Sequence, residues 1–189
     1  MRLFRQMGPW LVGVILAGSQ ALGAENAAMP AVWKEQSIEF SYFGRTSRYS
    51  CDGIRDKLRA ILAIMGVRRD IHTFAVGCAD SGEPNGLHEM SPTVHLVFSY
   101  PALPDAGAKP AHPGDLSPLD AQFQAFTIVA DAFRNMQPGD CELVEEFVRQ
   151  VLPKLTTRNL ETHVTCIPYQ LSGSHYSVRG EVLTPVVAQ

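Results

Sequence analysis

Two cysteine-headed segments constrain this chain more than any other feature. One is "SCDGIRDKLRAILAIMG", from Ser50, and the other is "DCELVEEFVRQVLPKL", from Asp140. In the first, Ile54, Leu58, Ile61, Leu62 and Met65 fall on a single stripe at helical spacing, and Arg55, Asp56, Lys57 and Arg59 take the wet face. Ser50 is the expected N-cap, and Gly66 stands where a C-terminal cap belongs. Cys51 and Cys141 are 90 positions apart, and the same offset carries every core position of the first helix onto Val144, Val148, Val151, Leu152 and Leu155. Asp140 is the expected second N-cap. Glu142 sits in the first turn, where the helix dipole favours an acid, and Pro153 ends or kinks the helix near Leu152.

Each helix leads to a strand-like run that ends in a cysteine. The runs are "DIHTFAVGC", ending at Cys78, and "NLETHVTC", ending at Cys166. Further alternating runs follow. "TVHLVFSY" places Val94, Leu96, Phe98 and Tyr100 on one face, and "HYSVRGEVL" does so with Tyr176, Val178 and Val182. Before the first helix, "SIEFSYFG" alternates Ile38, Phe40 and Tyr42, and "FTIVAD", Phe126 to Asp131, is the counterpart before the second. Ser117, Pro118 and Asp120 carry helix-start signals and predict a short helix over 118–124.

The expected fold is therefore α+β: a duplicated β-α-β-β unit whose helices pack on a mainly antiparallel sheet. The expected organisation is a signal peptide over 1–24, an N-terminal segment over 25–36, a first unit over 37–100, a linker over 101–120 and a second unit over 121–189. Five prolines and two glycines in "PALPDAGAKPAHPGDLSP" mark the linker.

Geometry pairs the cysteines. A helix packed on an antiparallel strand sets the helix start beside the strand end, and the intervals Cys51 to Cys78 and Cys141 to Cys166 nearly match, at 27 and 25 residues. Of the three possible pairings, duplication selects these two. No C-x-x-C redox pair is present.

The compartment follows from the N-terminus. Arg2 and Arg5, an apolar stretch from Trp10 to Ala17, and small residues ending in "ALGA" at Ala24 follow the order of a secretory signal. The apolar core is far shorter than the roughly 20 residues of a membrane span. The expected product is a soluble periplasmic protein of a Gram-negative bacterium, an oxidising setting in which bridges persist. Cleavage after Ala24 leaves 14 basic against 19 acidic residues, a net charge of −5. That balance argues against a nucleic-acid partner.

Standard catalytic motifs are missing: the chain has no G-x-S-x-G, phosphate loop, G-x-G-x-x-G or H-E-x-x-H. "LSGSHYS" places Ser172 and Ser174 beside His175, but turn chemistry accounts for it. His72 shares a face with Phe74 and Val76 and is expected in a packed or rim position, whereas His163 is expected to be exposed. The loop over 79–95 gathers Asp80, Glu83, Glu89, Met90, His88 and His95; of these His88, Glu89 and His95 are the candidate metal ligands. Tyr42, Phe43 and Tyr49 suggest an aromatic patch, and the face of Phe43, opposite that of Ile38 and Phe40, makes it the candidate binding residue. The expected role is a non-catalytic module, without cofactor, that binds or assembles a protein or envelope component. The alternative is a small metal protein or enzyme built on the 79–95 loop.

Overall fold

A computed structural model describes residues 27–78, 91–104, 118–131 and 136–186. The expected signal peptide, most of the 79–95 loop and the middle of the linker lie outside the described residues. The chain runs β1 (Met29–Ser41), α1 (Cys51–Ile64), β2 (His72–Val76), β3 (Thr93–Ala102), β4 (Pro118–Val129), α2 (Cys141–Gln150), β5 (Thr157–Thr165) and β6 (His175–Pro185). The strands form one six-stranded sheet in the order β2-β3-β1-β4-β6-β5, antiparallel at every pairing. The joint at its centre is short: Met29–Val32 of β1 pairs with Pro118–Ala121 of β4.

Both helical stripes face one core. Ile54, Leu58, Ile61, Leu62 and Met65 are buried with Val144, Phe147, Val151 and Leu152, against Phe40, Leu96, Phe98, Ile128 and Val178 from the sheet. The Ser50 side chain accepts from the Gly53 amide and caps α1. Gly66 ends it at φ 71°, and a Cβ there would sit 2.6 Å from Thr184 Cγ2, so glycine is needed for space as well as for backbone sign. At its far end, α2 is tied to β1, with Gln150 receiving from the Ser41 amide and donating to the Ser41 carbonyl. α2 ends at Gln150, and a 3₁₀ turn over Leu152–Lys154 accommodates Pro153 while keeping Leu152 and Leu155 buried.

The bridges are Cys51–Cys78 and Cys141–Cys166, with Cα separations of 5.2 and 5.6 Å. Each joins a helix start to the residues just past a strand, which is the geometry expected from the sequence. In the chain-entropy account each contributes on the order of 3 kcal/mol.

Four expectations need correction. The helix expected over 118–124 is the first half of β4. Leu119, Ala121 and Phe123 turn to one side of the sheet and Phe126 and Ile128 to the other, so the buried face switches within the strand. That switch hides the period of two behind cap-like residues. The early face belongs to a small second cluster of Ala31, Ala121, Phe123 and Leu183. The first strand begins at Met29 rather than near Ser37, because its early residues gain pairing from both β3 and β4 more than from one apolar face. His72, Phe74 and Val76 lie on the exposed side of β2, while Thr73 and Ala75 are half-buried. Asp140 makes no side-chain cap to α2 but closes a 3₁₀ turn over Pro138–Asp140, accepting from the Gln137 amide at 2.7 Å.

Candidate functional site: a surface held by two buried carboxylates

Three connecting segments meet where the helices begin: residues 42–50 before α1, 136–140 before α2, and 166–174 between β5 and β6. Two acids tie them together. Asp140 and Glu142 are the only buried charged residues among those described. A carboxylate taken out of water needs several strong donors to remain favourable. Asp140 receives the Tyr49 hydroxyl at 2.6 Å, the Lys57 ammonium at 2.7 Å and the Gln137 amide. Glu142 receives the amides of Arg45 and Thr46 at 2.8 and 2.7 Å. Both acids stand at the start of α2, whose positive dipole end favours them.

The tyrosines complete the junction. Tyr42 donates to the Ser47 carbonyl, Ser47 Oγ donates to the Gly139 carbonyl, and Tyr176 donates to the Gln137 carbonyl. Tyr42 and Tyr49 meet edge to face at 5.0 Å. Burial first, and the nearby carboxylates second, push the phenols of Tyr42 and Tyr49 far above the usual tyrosine range, and burial and Asp140 do the same to Tyr176. Near neutral pH these hydroxyls are fixed donors rather than bases or nucleophiles. The junction is built to hold shape.

The segments it joins carry exposed apolar and basic side chains. Phe43 is 58% exposed, Tyr169 70% and Leu171 60%. Arg45 and Arg48 are exposed on the same loop as Phe43. Tyr169 is bound to that loop at both ends: its amide donates to Thr46 Oγ1 at 3.0 Å, and Arg45 Nη1 donates to its hydroxyl at 3.4 Å. Its backbone is left-handed at φ 64°, a conformation that costs a non-glycine residue on the order of 1 kcal/mol. Leu171 lies over Gly139, where a Cβ would come within 3.0 Å of Leu171 Cδ2 and 2.8 Å of Ser47 Oγ.

The structure distributes the sequence candidates unevenly. Phe43 is exposed as expected, but Tyr42 and Tyr49 are buried and do not share a patch with it. His88 and Glu89 lie outside the described residues. His95 is exposed on β3 and stacks on Phe74 with centroids 6.4 Å apart. Among the described residues, no group of three or more His, Cys, Asp or Glu side chains is placed to hold a metal. All four cysteines are in bridges. His163 is exposed, and His175 is exposed beside the Gly173 carbonyl. Sequence reasoning missed Tyr169 and Leu171. Only the turn residues of "PYQLSG" mark their segment, and those say nothing about a neighbour 123 positions away. No helix among the described residues is long and apolar enough to cross a membrane. The chain matches no protein-family model, no curated protein and no solved structure.

Proposed function

We propose that this is an exported, non-catalytic docking module that binds a protein of the bacterial envelope through Phe43, Tyr169 and Leu171, with Arg45 and Arg48 at the rim. The observation that carries the reading is Tyr169. A large aromatic side chain is kept exposed on a strained backbone, bonded at both ends to a loop that two buried carboxylate bonds clamp. Such strain persists where the surroundings impose it, and exposed rigid aromatics with arginine are the residue types that dominate protein interfaces. Preorganisation lowers the ordering cost of binding. Two intact bridges and the N-terminal sequence support export to the periplasm, with residues 1–24 as the cleaved signal.

Duplication of one β-α-β-β unit is part of the same proposal. A single offset of 90 relates Ala31 to Ala121, Ile38 to Ile128 and Cys51 to Cys141, all four of the strand residues being buried. The pairing Ile38 with Leu96 in the first half has Ile128 with Val178 as its counterpart. The strand orders β2-β3-β1 and β4-β6-β5 mirror each other about the central joint.

The test is comparative capture from the envelope fraction by mature, bridged protein and by the double variant Phe43→Ala/Tyr169→Ala. One or a few proteins should be retained by the first and lost at least about tenfold with the second, since hot-spot truncations cost about 2 kcal/mol or more each. Identical capture by both, with both variants folded, contradicts the assigned surface.

A further inference from the structure

Among the described residues the sheet has two edges, β5 and β2, and they are treated differently. β5, at one edge, carries a register shift between Arg158 and Glu161, with Asn159 left-handed at φ 53°. Arg158 is paired with Glu181 at 2.6 Å, and Glu161 adds a further charge on the edge strand. A bulge and charges are the usual means by which an edge is kept from pairing with another chain. β2, at the other edge, has none of them. Its five residues, His72, Thr73, Phe74, Ala75 and Val76, include no proline, glycine, lysine or acid, and its register with β3 is unbroken. Phe74 is 61% exposed and Val76 43%, on the same side of the sheet.

We infer that β2 is a self-association edge, on which a second copy of this chain pairs antiparallel about a twofold axis at Phe74. The choice of a second copy rests on self-complementarity. A twofold axis at the middle residue sets Phe74 opposite Phe74 of the other copy, His72 opposite Val76, and Thr73 opposite Ala75. No pair brings like charges together, because His72 faces Val76, whereas a partner strand with its own charges would find no lysine, arginine or acid on β2. Each Phe74 already stacks on His95, so the axis brings two aromatic pairs side by side. The result is a continuous twelve-stranded antiparallel sheet, since each copy contributes six strands. With five residues per edge the contact is small, and the dimer is of the weak, concentration-dependent class. This association is independent of the Phe43 surface.

Sedimentation equilibrium of the mature bridged protein at pH 8 tests it. The expected result is a monomer–dimer equilibrium in the upper micromolar range. Phe74→Lys should weaken it about tenfold or more by placing like charges on the axis, while Leu160→Lys on β5 leaves it unchanged. Oxidation of a Phe74→Cys variant should yield a covalent dimer linked at position 74, because directly opposed residues in an antiparallel pair lie within disulfide reach. Val76→Cys, facing His72, should not. A protein that stays monomeric at all concentrations, a dimer indifferent to Phe74→Lys, or equal cross-linking from positions 74 and 76 overturns the assignment.

Discussion

Asp140 shows how much one residue can organise. Its carboxylate joins Tyr49, Lys57 and the Gln137 amide, residues separated by up to 91 positions. Lys57 →Met should destabilise the fold by about 3 kcal/mol, because removing one partner of a buried pair leaves the other charge poorly compensated. Denaturant unfolding measures this, and a loss below about 1 kcal/mol would mean the pair is solvated. Thr73 offers the opposite case. Its hydroxyl is buried with no hydrogen-bond partner among the described residues, so Thr73→Val, of the same shape and a good strand former, should stabilise by about 1 kcal/mol. The phenols give a pH signature. The folded pKa values of Tyr42, Tyr49 and Tyr176 lie above the unfolded value near 10, so their contribution is intact below that pH and is lost as pH rises beyond it. Absorbance at 295 nm should show these three tyrosines ionising only together with alkaline unfolding. Reversible ionisation of all of them near pH 10 in folded protein would contradict the buried network.

Among the elements, the helices and the bridges were the legible part. A helix with one buried stripe writes its period into the sequence: Ile54 to Met65 are buried as spaced, and so are Val144, Val151, Leu152 and Leu155, although Val148 is half-buried and Phe147 takes the fully buried place beside it. Two cysteines at matching positions then leave one sensible pairing. β4 was legible only in its second half, because its burial changes sides between Phe123 and Phe126. Asp140 read as a local cap, since sequence spacing reveals bonds three residues away but not one to Tyr49. Tyr169 was invisible for the same reason: its partners lie on another connection, and its left-handed backbone has no signature in a non-glycine residue. The bridges can be tested at this scale. Opening Cys141–Cys166 by replacing both cysteines with serine should cost on the order of 3 kcal/mol in thermal or denaturant unfolding. It should also loosen the 166–174 segment that carries Tyr169 and Leu171. An unchanged midpoint would contradict the contribution assigned to the bridge.

At the scale of the whole molecule, the two halves share one core although their strands join through only four residue pairs. Gly66 at the end of the first helix lies against Thr184, and Gln150 at the end of the second is bonded to Ser41. Each half thus completes the other, and the chain should unfold in a single transition with neither half folded alone. The same arrangement fixes the loop that carries Phe43 against the segment that carries Tyr169, and the docking surface we propose spans the two. That surface is the central claim, and the most direct measurement is site-specific photo-cross-linking in living cells. A photoreactive residue at position 43 should give a discrete adduct of higher mass, while one at the exposed helix position Glu145 should not. No adduct from position 43, or the same adducts from both positions, would contradict the account.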